Sequence, residues 1–327
     1  MTYLPFLAAV ISFLVTYIAT NWLIRYLRRI NLVVKDQNKK NTPLIPISGG
    51  LAVMPGIFIG LMFYIFFQTF YFHYIRTLIY LLAGLISIVM ITFVGFLDDL
   101  IIKKSKDSST GLKQWQKPLL TLSAAVPLMV VNAGVTVMAL PFLGRIDLGL
   151  IYPLIFIPVG VVGAANMVNM LAGFNGVEAG MGIVYVGMLG LYAFVNNREV
   201  AAIFALITLF ALIAFYFYNK YPAKILPGDS LTYLLGGVIA VIAILGNIEK
   251  AAIIASIPFF IEFILKLRSK FKAKSYGYYL NGKIKSYHNK IYSIPHLLTR
   301  TGKYTEKQVF WFLISLELIF SSLIWVI

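Results

Sequence analysis

The sequence predicts an all-α integral membrane protein, a bundle of about ten transmembrane helices, and three observations carry that reading. Of 327 residues, 60% are hydrophobic and only 12% charged, whereas a soluble chain carries roughly a quarter charged. The apolar residues run in blocks of ~17–25, the length that crosses a hydrocarbon core of ~30 Å as a helix. Lysine and arginine collect in alternate connections between those blocks.

Taken in order, helices are expected near 3–24, 49–70, 77–98, 117–134, 150–170, 180–195, 200–217, 231–246, 250–266 and 309–327. The first is too long and uniformly apolar for a signal-peptide core, lacks a cleavage site and is followed by Arg25, Arg28 and Arg29, so it reads as a retained helix. The connections after helices one, three, five, seven and nine hold 6, 5, 0, 2 and 11 Lys or Arg. The opposite side holds four: Arg76, Arg145, Arg198 and Lys250. That 24-to-4 asymmetry places the odd-numbered connections in the cytoplasm and both termini outside.

A single domain over 1–327 is expected, with its working face on cytoplasmic loops at about 25–48, 99–116, 167–180, 218–230 and 267–308. The last, of about forty residues, is long enough to need a functional reason. There is no Cys, which excludes disulfides and thiolate metal sites, and His73, His288 and His296 are too scattered for a zinc site. A net charge of +16 gathered on one membrane face favours membrane lipids as partners and gives no reason to expect nucleic acid.

Only twelve residues are acidic, so each position is informative. Asp98 and Asp99 sit in VGFLDDL at the cytoplasmic end of the third helix, where negative charge opposes the macrodipole by ~0.3–1 kcal/mol per exposed residue. Something positive should compensate: Lys103, Lys104, Lys106, Lys113 or Lys117, or a divalent cation. In AANMVNMLAGFNGVEAG, Asn166 and Asn169 share a helix face, and the Gly-rich connection adds Asn175 and Glu178 but no cation. That composition suits a nucleotide or metal pocket, and also an ordinary turn. In LPGDSLTYLL, Asp229 is placed either to cap the eighth helix or to bind Mg²⁺ at the membrane boundary. Glu262 and Glu317 lie within helices nine and ten and are assigned no role.

These motifs, in this order and on these loops, resemble the polyprenyl-phosphate N-acetylhexosamine-1-phosphate transferases. VGFLDDL, KQWQKPLL, NMVNMLAGFNGVEAG and PGDS carry the likeness, which extends from DQNKKNTPLIPISGG to IPHLLTRTGKYTEKQVFWFLISL. The chain looks most like the archaeal and eukaryotic branch that makes GlcNAc-diphosphodolichol, with Ala172 and Asn175 standing where bacterial relatives carry Asp.

The resemblance implies transfer of GlcNAc-1-phosphate from UDP-GlcNAc to a polyprenyl or dolichyl phosphate, with UMP released and Mg²⁺ (or Mn²⁺) required. It implies metal ligands at Asn169 and Asp229, a phosphate contact at Lys117, a base or orienting group at Asp98, and support from Asp99. Asn166, Asn175 and Glu178 would hold the donor, with Lys39, Lys40 and Ser48 of the first loop nearby. A one-step displacement is expected, against a covalent Asp98 intermediate. A homodimer and the plasma membrane of a prokaryote, archaeal rather than endoplasmic reticulum, are also implied.

The last loop departs from the relatives. It keeps His296 and Arg300 where bacterial members carry a His cluster, and offers Arg268 and Lys270 in LKLRSKFKAK. Rival readings are a sister transferase using another UDP-HexNAc or UDP-MurNAc-pentapeptide, and a membrane transporter. The carboxylates at helix ends and the lack of a duplicated half weigh against transport.

Overall fold

Each expected apolar block is helical in the computed structural model, which describes residues 3–102, 111–132, 134–141 and 143–326. The helices are α1 (Leu4–Arg29), α2 (Gly50–Phe70), α3 (Leu78–Ile102), α4 (Gln116–Leu122), α5 (Val126–Val131), α6 (Ile157–Met170) and α7 (Val177–Val195). They continue with α8 (Glu199–Asn219), α9 (Gly228–Gly246), α10 (Glu249–Ala255), α11 (Ile257–Leu267), α12 (His296–Thr299) and α13 (Glu306–Ser322). Among the described residues, eight segments are long and apolar enough to cross a membrane.

Two of the ten expected spans are instead broken. The fourth splits into α4 and α5 around a 3₁₀ turn at Ser123–Ala125, because Pro127 lacks an N–H and its ring crowds the carbonyl four residues back. The ninth splits into α10 and α11 at Ser256, just before Pro258, for the same reason. The all-α expectation also missed three two-stranded hairpins in the connections: β1 (Val33–Lys35) with β2 (Leu44–Pro46), β3 (Val137–Leu140) with β4 (Gly144–Asp147), and β5 (Gly277–Leu280) with β6 (Lys283–Ser286). The last turns on Asn281-Gly282, both at positive φ, the pairing that a tight hairpin requires.

Helix α9 is the axis of the bundle. Its span is 83% buried, against 39% for α1, and it packs on α3, α6 and α8. Small residues permit that approach: a Cβ on Gly236 would lie 2.4 Å from the Ala165 Cα, and one on Gly95 would lie 2.3 Å from the Asp229 carbonyl. The outer faces stay apolar, with Phe6, Trp22, Phe66, Phe93 and Trp311 exposed, as lipid contact requires. α1 runs towards the first long polar connection and α13 runs away from the last. Both ends of the described chain therefore lie opposite the end where the polar loops gather.

Candidate active site

The polar loops enclose a cavity of about 960 Å³ at the ends of α4, α6, α9 and α11. Its inner wall carries Lys117, Asn166, Asn169, Glu178, Asp229 and Thr232. The centre is a buried cluster in which the Lys117 ammonium lies 2.5 Å from Asp98 Oδ2 and 2.9 Å from Asp229 Oδ2. Asp98 is fully buried, and its other oxygen accepts the Leu112 N–H at 2.5 Å. Asn169 Nδ2 donates to Asp229 Oδ2 at 3.1 Å, and the Thr232 hydroxyl, one turn along α9 from Asp229, donates to Asn169 Oδ1 at 3.0 Å. Lys117 is thus a cation that compensates Asp98 at the end of α3. Lys113 is exposed, and Lys103, Lys104 and Lys106 fall outside the described residues.

Asp99 and Asp229 divide two roles that the sequence left open. Asp229 does not cap α9, since its side chain faces Lys117 and Asn169. The cap comes from α3: Asp99 accepts the Asp229 N–H at 2.7 Å and the Ser230 N–H at 3.1 Å, satisfying two orphan donors of α9. Gly228 makes room for it, with φ at +68° and a hypothetical Cβ only 2.4 Å from Asp99 Oδ2.

A metal fits this cluster only as a site shared with substrate. No group of three or more His, Cys, Asp or Glu poised for a metal occurs among the described residues. The donors present are the Asp229 carboxylate and the Asn169 amide, with Asp98 Oδ2 buried beside them against the Lys117 ammonium and the Asp229 carboxyl. Hard oxygens with few protein ligands suit Mg²⁺, which completes its shell with phosphates and water.

Several expected contacts are placed elsewhere. Asn175 borders the cavity, but it is 2% exposed and its groups are spent on bracing. Its amide donates to Asp36 Oδ2 at 3.1 Å and accepts the Ala223 N–H at 2.9 Å, and its own N–H goes to Glu306 Oε1 at 2.8 Å. Lys39 joins the same brace through Glu306 and Asp36 and does not line the cavity. Ser48 is buried beside Asp99, again off the cavity. Glu178 stays on the wall, accepting the Gly173 N–H at 2.8 Å.

In the last loop, Arg268 and Arg300 are exposed and away from the cavity, and Arg268 reaches the Ile291 carbonyl instead. His296 is fully buried, with both ring nitrogens engaged: Nδ1 accepts the Tyr292 N–H at 3.2 Å and Nε2 lies 2.9 Å from the Lys274 carbonyl. Burial pushes its pKa down to about 4, which makes it a neutral structural post. The residues of this loop that do line the cavity are Phe271, Lys272, Ala273, Lys274, Ser275 and Tyr276, with Lys266 from α11.

Sequence reasoning missed Asp36, Asn38 and Glu306. Asn38 donates to the Gly173 carbonyl at 2.6 Å and accepts the Gly277 N–H at 3.2 Å, tying the first loop to two others. The scarcity of acids that singled out Asp98 applied equally to Asp36 and Glu306.

The sequence profile of glycosyl transferase family 4 matches residues 81–247, which contain Asp98, Asp99, Lys117, Asn169 and Asp229. A Saccharolobus solfataricus protein, provisionally named a UDP-N-acetylglucosamine–dolichyl-phosphate N-acetylglucosaminephosphotransferase, is 35% identical over 96% of this chain and 94% of its own length. A Sulfolobus acidocaldarius protein of the same provisional name is 30% identical over 97% and 94%. The phospho-N-acetylmuramoyl-pentapeptide-transferase of Staphylococcus carnosus is 30% identical over 79% and 81%. Profile, near-full-length likeness and multi-pass helical architecture agree, and the chain belongs to glycosyl transferase family 4.

Proposed function

We propose that the protein transfers GlcNAc-1-phosphate from UDP-GlcNAc to a dolichyl or related polyprenyl phosphate, releasing UMP in a Mg²⁺-dependent reaction. The observation that carries this is the Asp98–Lys117–Asp229–Asn169 cluster at the floor of a cavity, set at the membrane-boundary ends of α3, α4, α6 and α9. A lipid phosphate and a water-soluble nucleotide can meet only at such a boundary. The near-full-length likeness to the two archaeal proteins favours this donor and lipid over the muramoyl-pentapeptide alternative. It also favours a prokaryotic plasma membrane, with the cavity on the cytoplasmic, Lys- and Arg-rich side.

An oxygen of the lipid phosphate attacks the phosphorus bearing the sugar. The bond from that phosphorus to the bridging oxygen breaks, and the electron pair leaves with UMP. Lys117, already holding two carboxylates, is placed to take the charge of the transferring phosphoryl group. Asp98, buried behind it, orients the incoming phosphate and accepts its proton if it arrives as the monoanion. Asp229 and Asn169, its amide oxygen held by the Thr232 hydroxyl, would hold the Mg²⁺, which would supply neutralising charge for the diphosphate. Glu178, Asn166, Lys272 and Lys274 line the space that would receive the donor.

The test is UMP release by detergent-purified protein given dolichyl phosphate, Mg²⁺ and a panel of UDP-sugars. Turnover with UDP-GlcNAc that EDTA abolishes supports the proposal. Turnover with UDP-MurNAc-pentapeptide alone, or none from folded protein, refutes it.

A further inference from the structure

We propose that Glu262, in the second half of the broken ninth segment, is a positioning residue. It latches the last loop so that residues 272–276 stand as the donor-facing wall of the cavity. The inference rests on the proposed transfer reaction, but the latch is visible without it. Glu262 lies on α11 and is fully buried. Its Oε1 accepts the Ser293 hydroxyl at 2.6 Å and the Ser275 hydroxyl at 3.4 Å, and its Oε2 accepts the Ile294 N–H at 2.7 Å. Lys266, one turn along, stands 3.8 Å away.

These partners come from both limbs of one long loop. Ser275 belongs to the limb leaving α11 and lines the cavity, while Ser293 and Ile294 belong to the limb returning to α13. One carboxylate therefore joins the outgoing limb, the returning limb and the helix between the cavity and the lipid.

What the latch holds is the wall. Lys266 donates to the Ala273 carbonyl at 2.6 Å, Ser275 shares its one hydroxyl hydrogen between Glu262 and the Met170 carbonyl at 3.1 Å, and Tyr276 packs over Gly173. Lys272 and Lys274 ride on this stretch and border the cavity. A buried carboxylate is costly unless its lone pairs are satisfied, and here the hydrogen bonds come from loop backbone and loop serines, with Lys266 of the same helix adding a counter-charge. The bonds also run from helix to loop and never towards the Asp98–Lys117–Asp229 cluster. Glu262 should thus govern how well the donor is held and leave the phosphoryl-transfer step intact.

The experiment compares Glu262→Ala and Glu262→Gln with the unaltered protein in two assays, trypsin cleavage of the 268–290 stretch and steady-state UMP release. Gln keeps the shape. Its carbonyl can accept the Ile294 N–H, and both serine hydroxyls can reverse to accept from its amide. We expect Glu262→Ala to speed cleavage and raise KM for UDP-GlcNAc, each by roughly tenfold or more, with kcat and the lipid-phosphate KM within about threefold. Glu262→Gln should stay within about threefold on every measure.

Unchanged cleavage and donor KM in Glu262→Ala overturn the latch. Glu262→Gln as impaired as Glu262→Ala also overturns it, since charge rather than geometry would then be at work. If Glu262→Ala does not fold, Ser293→Ala removes one arm and should give an intermediate rise in both cleavage and KM; no rise refutes the proposal. If the unaltered protein ignores UDP-GlcNAc, the donor assignment fails, and trypsin still decides on the latch.

Discussion

Replacing Asp99 by Asn tests whether the cap of α9 is supplied from α3. The carboxylate is fully buried and accepts two backbone N–H groups, from Asp229 at 2.7 Å and Ser230 at 3.1 Å. An amide of the same size can accept one of them and must turn its NH₂ towards the other. One charge-assisted bond, worth ~1.5–3 kcal/mol, becomes a neutral bond of ~1 kcal/mol, and one buried N–H is left facing a donor at a cost of ~1–3 kcal/mol. The loss comes to about 3 kcal/mol, or roughly two orders of magnitude in the ratio of folded to unfolded protein. Because the two anchored N–H groups are those of Asp229 and its neighbour Ser230, losing either should let the Asp229 carboxylate shift away from Lys117, and activity should fall in parallel. Thermal unfolding of detergent-solubilised protein, followed by intrinsic fluorescence, reads the first effect, and UMP release reads the second. Unaltered thermal stability with lost activity would give Asp99 a chemical role and remove the cap argument; unaltered values of both would remove it outright.

Asp229→Ala should abolish Mg²⁺-dependent turnover, and because it leaves Lys117 paired with Asp98 and takes no cap from α9 it should cost less stability than Asp99→Asn; a greater loss than that of Asp99→Asn in the unfolding assay would restore the capping role. Lys117→Met leaves two carboxylates without their cation and should destabilise by ~3–5 kcal/mol. Adding Asp98→Asn should then recover stability without recovering UMP release, and failure to recover it would show that the pair is not what holds the cluster. Asp98→Asn alone should stop transfer while UDP-GlcNAc binding, read by calorimetry, persists. Acid should open the last loop through His296. Its pKa is pushed by burial to about 4 from an ordinary ~6.5, so the open loop binds the proton first, and protection is complete above ~6.5 and lost as pH falls towards 4. The ring meets the Tyr292 N–H, the Lys274 carbonyl and the Lys290 backbone, with His288, its ring centroid 5.5 Å away, and Lys266 nearby, and those two side chains further disfavour its charge. Trypsin cleavage of the loop should rise between pH 7 and pH 5 in the unaltered protein, and a flat profile would refute this.

The helices were legible because each apolar block had to be long enough to span lipid. Asp98, Lys117, Asn169 and Asp229 were legible because acids are scarce and the motifs fall at helix ends. Asp229 shows the boundary of that reading: Pro-Gly-Asp is equally a cap and a ligand, and only the arrival of Asp99 from 130 positions away decides between them. The breaks at Ser123–Ala125 and Ser256 were signalled by Pro127 and Pro258, yet hydropathy averaged over a window does not register a missing N–H. The last loop was least legible. Arg268, His296 and Arg300 have the right chemistry, but which side of a hairpin meets the cavity depends on register and on the Glu262 anchor, neither of which is local.

The sequence by itself determined a membrane bundle, the sidedness of its charge, and a polar site built from the ends of particular helices, because hydrophobic length and charge distribution act one segment at a time. The tertiary structure alone decided which polar groups face the cavity and which brace it. Lys117 lies among two carboxylates, Asn175 is consumed by Asp36 and Ala223, and Glu262 gathers both limbs of a loop. A buried polar group must find partners within ~3 Å, and those partners here come from segments more than a hundred residues apart in the chain as well as from the next turn.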